Sequence, residues 1–297
     1  FVYGMRLSLR PSLRQMRLAA LSSVCRSSVR CLLTVPGTES RLRNEAHDGV
    51  AVVVGGSRGV GLAMSSILLS ERYHGHVFVI SRSPADSAEL CALAKHCRCT
   101  IVQADITDED SVEAAAVTIK QQSKHVDLLL NTAGILGGSK GKPSPERSLR
   151  LVTPEWMVES FMLHAVGPTL LLKHFAPLLS ARQQRPPAIF ASLSARVGSI
   201  GDNRLGGWHS YRVSKAAHNQ ALRTASVELL PKRVIVLALH PGTVDTELSA
   251  PFMQSASKRY KIFSAEESAT HLLDVVDRAT LDDSGRFFAW DKTNIPF

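Results

Sequence analysis

The sequence predicts a doubly wound α/β domain, a mostly parallel sheet of about seven strands with helices on both faces, and three observations carry that expectation. Short apolar runs rich in β-branched residues recur along the chain, amphipathic stretches fill the gaps between them, and a glycine cluster follows the first run. VAVVV (50–54) is apolar throughout, which suits a strand covered on both faces. HVFVI (76–80), CTIVQA (99–104), DLLLN (127–131), AIFAS (188–192) and VIVLAL (234–239) repeat it, and RFFAW (286–290) closes the series. Helices are expected near 60–72, 85–96, 109–122, 154–180, 211–230 and 265–279. Thr153 before Pro154 supplies an N-cap and a first-turn proline, and SAEE (264–267) reads as a capping box. The loops at 134–150 and 249–262 both follow strands on the carboxyl side, where open α/β sheets bind ligands, and one of them is expected to act as a substrate lid.

Charge is unevenly spread. Of the formal +9 carried by 297 residues, about five lie before residue 50, where eight arginines face only Glu39, Glu45 and Asp48. The collapse of positive charge beyond that point, and the lack of any recognisable binding motif, argue against a nucleic-acid partner. Residues 1–47 are rich in Arg and Ser, with Arg6, Arg10, Arg14, Arg17, Arg26 and Arg30 all preceding the first acid, Glu39. That is the composition of a mitochondrial transit peptide; the alternative is a disordered basic tail on a cytoplasmic protein. Arg26 and Arg30 interrupt its apolar stretch, so no membrane span is expected. Residues 48–297 then form one domain. Cys91, Cys97 and Cys99, with His96 between them, lack a second ligand pair at zinc spacing and are expected to be buried free thiols rather than a metal site.

Directly after the first strand stands GGSRGVG (55–61), with Gly55, Gly59 and Gly61 at G-x-x-x-G-x-G spacing and Ser57, Arg58 and Val60 completing the loop. Glycines there let the backbone turn tightly and approach a pyrophosphate seated at the positive end of the next helix. A nucleotide site is expected. An NAD enzyme usually presents an acid to the ribose 2′-hydroxyl at the end of the second strand. Ser81 and Arg82 stand there instead, and Arg58 lies within reach in the loop. Two guanidiniums suit a 2′-phosphate, so NADP(H) is expected over NAD(H); otherwise both arginines are ordinary surface charges. In WHSYRVSKAAHNQ (208–220), Tyr211 and Lys215 fall four apart on one helix face.

In the order and spacing of five pieces the chain from residue 50 onward resembles the short-chain dehydrogenase/reductase family, and within it the C-factor and sniffer type of carbonyl reductase. The pieces are GGSRGVG, Asp105-Ile106 after the third strand, NTAG (131–134) after the fourth, Tyr211-x-x-x-Lys215, and HPGTVDT (240–246) after the sixth. The resemblance implies a Rossmann-type fold and cofactor contacts from Asp105 and Ile106 at the adenine, and from Asn131, Ala133 and Gly134. It also implies contacts from Pro241, Gly242, Thr243, Val244 and Thr246 near the nicotinamide carboxamide. Tyr211 then acts as acid and base, and Lys215 lowers the phenol pKa from its ordinary ~10 and holds the nicotinamide ribose. The implied activity is NADPH-dependent reduction of an apolar carbonyl (aldehyde, ketone or quinone), by a homodimer or homotetramer. Apolar residues around Trp208 and Phe252 suit such a substrate.

Two positions depart from the family. Relatives of the sniffer type carry the second serine of a Ser-Ser pair where this chain has Ala195, one residue beyond Ser194. A bulge after the fifth strand would bring the Ser194 hydroxyl round, so Ser194 is assigned the serine role and Ser192 a structural one. His164 occupies the place of an asparagine that helps hold a water next to the lysine, and is expected either to relay protons or to be a satisfied core histidine. These departures motivate the rival expectation, a NADP-binding sensor or scaffold with little catalysis.

Overall fold

The computed structural model describes residues 49–297 except His74, 139–140, 180–184 and 258–259; the leader expected at 1–47 lies outside the described residues. The strands are β1 (Val50–Val54), β2 (His76–Ser81), β3 (Cys99–Gln103), β4 (Leu128–Asn131), β5 (Ala188–Leu193), β6 (Val234–His240), β7 (Thr243–Val244), β8 (Ile262–Phe263) and β9 (Phe287–Ala289). The main sheet runs β3-β2-β1-β4-β5-β6-β9, and each neighbouring pair is parallel. β7 and β8 form a separate parallel pair that the sequence did not announce. Two-residue strands are too short to show any periodicity.

Side chains of a strand alternate between faces, and β1 shows the result: Val50, Val52 and Val54 enter one core, Ala51 and Val53 the other. The first core also holds Phe78, Phe175 and Phe190 beneath helices α3 (Glu109–Gln122), α5 (Gly167–Leu179) and α6 (His209–Leu229). The second lies under α1 (Gly59–Ile67) and α7 (Ala265–Asp277), with Met64, Leu272 and Val276. Burying each such side chain contributes roughly 1.5–3 kcal/mol, which is why both faces of the sheet must be covered. α2 (Ala88–Leu93) is shorter than the stretch expected from 85 to 96, because Pro84–Asp86 forms a separate tight turn before the Ser87 cap.

The helix expected over 154–180 is not continuous. α4 (Pro154–Phe161) begins at its Thr153 cap, passes through a π-helical turn at Met162–Val166, and resumes as α5. Gly167 N–H reaches back five residues to the Met162 carbonyl, and Pro168 has no N–H to donate. The wider turn absorbs that missing bond without ending the helix. The capping box expected at Ser264 forms as anticipated. The three described cysteines are free, but Cys91 and Cys97 are exposed and Cys99 only half-buried, against the expectation of buried thiols. Cys91 lies on the short α2, and Cys99 opens β3, an edge strand of the sheet with a neighbour on one side only.

Strand order reverses between β1 and β4: β2 lies on one side of β1 and β4 on the other. A crevice opens at that switch point, beyond the carboxyl ends of the strands.

Candidate active site

The glycine turn occupies the crevice. Gly55 has φ +80°, and a Cβ there would meet the Ala133 nitrogen at 2.8 Å. At Gly61 a Cβ would lie 2.4 Å from the Gly55 carbonyl oxygen, so neither position admits a side chain. Thr132 Oγ1 donates to the Val54 carbonyl at 2.7 Å and locks β4 to the turn. α1 starts at Gly59 with no side-chain cap on its first N–H groups, after Arg58 in extended backbone. Uncapped N–H groups behind a turn that only glycine fits form a cradle for a pyrophosphate, so the residues present suit a dinucleotide. Val60 packs on the second core, and the Ser57 carbonyl accepts from the Ser87 hydroxyl at 2.7 Å, bracing the loop against α2.

Both candidate 2′-phosphate arginines are exposed and already ion-paired. Arg58 Nη1 meets Glu247 at 3.0 Å, and Arg82 Nη1 lies 3.7 Å from Asp105. Asp105 also accepts from the backbone N–H and hydroxyl of Thr107 at 2.9 and 2.7 Å. Burial alone would raise its pKa; the Thr107 bonds and Arg82 outweigh it and hold the carboxyl below its usual range. Ile106 turns its side chain into the first core, under Gly167. Asn131 is buried and serves the fold: its Nδ2 donates to Ser192 Oγ at 2.9 Å, and its Oδ1 accepts from Ala133 N–H at 3.3 Å. Ser192 is structural, as expected.

Beyond β6, Gly242 at φ +80° turns the chain where a Cβ would strike Phe263, and the Pro241 carbonyl accepts from Ser268 at 2.8 Å. Thr243 and the buried Val244 form β7. Thr246 lies across the glycine turn, its methyl 3.3 Å from where a Gly59 Cβ would sit. The loops at 134–150 and 249–262 meet, since a Cβ at Gly138 would lie 3.3 Å from the Phe252 ring and 3.4 Å from Pro251.

Tyr211 and Lys215 project from the first turns of α6. The Lys215 Nζ donates to the Leu193 carbonyl at 2.8 Å and lies 5.8 Å from the Tyr211 ring centroid. It is 4.0 Å from where a Gly134 Cβ would be, which places the loop after β4 beside the ammonium. Burial lowers the Lys215 pKa from 10.5 to about 7 and pushes the Tyr211 phenol up. The head of α6 is built by a residue that sequence reasoning missed. Glu146, buried in the long loop, accepts from the Ser210 hydroxyl and from Ser210 N–H, while its own carbonyl accepts from Trp208 N–H at 2.5 Å. The partners are 64 residues apart, beyond any local pattern. Trp208 is thereby held at φ +53°, its ring 6.2 Å from Tyr211 and 5.2 Å from Phe252, forming an aromatic wall beside the phenol.

Ser194 requires a correction. No bulge follows β5: Ser194 N–H bonds the Leu239 carbonyl at 2.7 Å, continuing the ladder in register. Its buried hydroxyl donates to Asn219 Oδ1 at 2.6 Å, so it is committed to α6 rather than turned to the crevice. His164 lies in the π-helical turn, buried, its ring edge-on to Tyr211 at 5.2 Å. Its Nε2 accepts from Ile135 N–H at 3.1 Å, which leaves Nδ1 as the protonated nitrogen, donating to Ser214 Oγ at 2.9 Å. Ser214 in turn donates to the Tyr211 carbonyl at 3.0 Å. Neither ring nitrogen remains for Lys215; burial, then the charge of Lys215, keep the ring neutral.

A dinucleotide cradle beside a paired tyrosine and lysine on a doubly wound sheet defines an oxidoreductase. The short chain dehydrogenase family model matches residues 49–256, and the chain belongs to that family. It is 31% identical to an uncharacterized oxidoreductase of Schizosaccharomyces pombe over 84% of this chain and 98% of that one. It is also 32% identical to the C-signal protein of Myxococcus xanthus over 58% of this chain and 93% of that protein. Among solved structures it resembles an NADPH-bound carbonyl reductase from chicken fatty liver, with TM-score 0.72 and 28% identity over 84% of this chain and 99% of that one. The carbonyl reductase Sniffer of Drosophila melanogaster gives TM-score 0.75 at 25% identity, over the same shares of the two chains.

Proposed function

We propose that the protein reduces an apolar carbonyl compound to an alcohol, with NADPH as its cofactor and Tyr211 as the proton donor. The observation that carries this reading is the placement of Tyr211, Lys215 and the aromatic wall of Trp208 and Phe252 around one crevice that also holds the glycine cradle. Bound NADPH would supply the hydride. The phenol, its pKa raised by burial, holds its proton at neutral pH, as a donor to a carbonyl oxygen must. Lys215, charged below a pKa of about 7, stabilises the phenolate left after that transfer. Arg58 and Arg82 favour a 2′-phosphate, which would draw Arg58 from Glu247 and Arg82 from Asp105. The wall favours substrates with a flat or branched apolar body.

Turnover is tested with a panel of aldehydes, ketones and quinones, following consumption of reduced nicotinamide, with Tyr211→Phe alongside. The expected outcome is activity that the variant loses while its NADPH affinity is kept, and a preference for NADPH over NADH that Arg58→Ala with Arg82→Ala erases. One observation favours a second reading, a NADP-binding sensor: Ala195 has no hydroxyl and Ser194 is committed to Asn219, so Tyr211 has no serine partner. Tight NADPH binding with no turnover across the panel, in the parent chain and in Ala195→Ser, would support it.

A further inference from the structure

His218 lies one turn beyond Ser214 and three residues beyond Lys215, on the face of α6 that carries the site. It is 1% exposed, and neither of its ring nitrogens has a hydrogen-bond partner. A buried imidazole left in that state is costly, and an apolar residue of similar size would fill the same space without the cost. Lys215, three residues earlier, is an ammonium with three donors, 3% exposed, one of them bonded to the Leu193 carbonyl. His164 takes none of the others, because Ile135 and Ser214 occupy both its nitrogens.

We propose that His218 is a positioning residue for Lys215: one internal water accepts from the ammonium and donates to the bare imidazole nitrogen, which holds that water against the buried charge. The shared water would satisfy the bare nitrogen of the neutral ring while accepting from the ammonium. The inference rests on the reading that Lys215 works as an ammonium. Lys215 from its own helix and His164 from the π-helical turn act on His218 or are acted on by it. Of the other elements packed on α6, α4 buries Trp156 and Ser160, neither of which titrates; the 196–198 turn carries Arg196, paired with Asp202; β6 carries His240, whose pKa burial lowers; and α5 carries Lys173 and His174, both paired with Glu109. Burial, then the charge of Lys215, hold His218 neutral, so it accepts rather than repels. The sign follows: an acceptor stabilises the charged lysine and raises its pKa, so losing the acceptor lowers it.

The test is a titration of Lys215 in the cofactor-loaded full chain by NMR of lysine labelled at Cε, assigned with Lys215→Arg, in the parent, His218→Leu and His218→Gln. His218→Leu should lower the Lys215 midpoint by about one pH unit, and His218→Gln, which keeps an acceptor, should restore most of it. Reductase turnover in His218→Leu should lose its alkaline limb at correspondingly lower pH, falling about tenfold at pH 8 and less than twofold at pH 6. His218→Leu should also melt at higher temperature, which reports a folded variant. If His218→Leu is folded and its Lys215 midpoint coincides with the parent's, the proposal is overturned; should the leucine variant not fold, His218→Met takes its place, a midpoint about a unit lower supporting the proposal and one within a tenth of the parent's overturning it. Because the titration needs no substrate, absence of turnover would count against the reductase reading alone.

Discussion

At the scale of single residues, the site is decided by which hydroxyls are already spoken for. Ser194 and Ala195 are neighbours on an extended chain, so their side chains point to opposite sides. The side facing Asn219 received the hydroxyl. Ser194→Ala should therefore lower stability by about 1–3 kcal/mol in chemical denaturation, since Asn219 loses a buried donor, and leave kcat within about twofold. Loss of turnover at unchanged stability would return Ser194 to the catalytic role. Tyr211, Lys215 and the glycines were legible in the sequence because each has a local spacing with a physical meaning. Glu146 was not, because its partner Ser210 is remote, and His218 was not, because a histidine in a helix announces nothing until its burial and empty nitrogens are known.

At the scale of elements, the seven main strands and the caps of α4 and α7 could be read from alternation, apolar runs and capping residues. What escaped was the interruption at Met162–Val166, since a helical apolar pattern survives one extra residue in a turn, and only the Gly167-Pro168 pair hinted at it. That turn places His164 under Ile135 and so props the loop that carries Gly134 beside Lys215. The β1–α1 joint is tighter still. Gly61→Ala would put a methyl 2.3 Å from Thr132 Oγ1 and 2.4 Å from the Gly55 carbonyl, forcing the turn open. The expected result is a loss of roughly 1–3 kcal/mol in stability and at least about tenfold weaker NADPH binding, read by nicotinamide fluorescence. Unchanged affinity would mean the cradle lies elsewhere.

At the scale of the whole molecule, none of the helices searched among the described residues is long and apolar enough to cross a membrane, and two packed helices carry exposed apolar side chains among polar ones. Val158 and Phe161 on α4 are 61% and 43% exposed, and Val213 and Val227 on α6 are 48% and 67% exposed. A second copy of the chain would cover them, consistent with the homo-oligomer expected from the sequence. Sedimentation equilibrium should give a dimer or tetramer that Phe161→Glu with Val227→Glu converts to monomer; a monomeric parent at micromolar concentration would refute it. The sheet order has a separate consequence, in time rather than in space. β1 is an inner strand between β2 and β4, and its Val50 N–H donates to Asp127, 77 residues further on. During synthesis VAVVV therefore leaves the ribosome long before its inner neighbour β4 exists, an apolar edge with one flank bare. Closing so long a loop before any bond rewards it makes folding slow, on the order of milliseconds to seconds. Until the middle of the sheet has been translated, that strand stays open to pairing with the wrong edge.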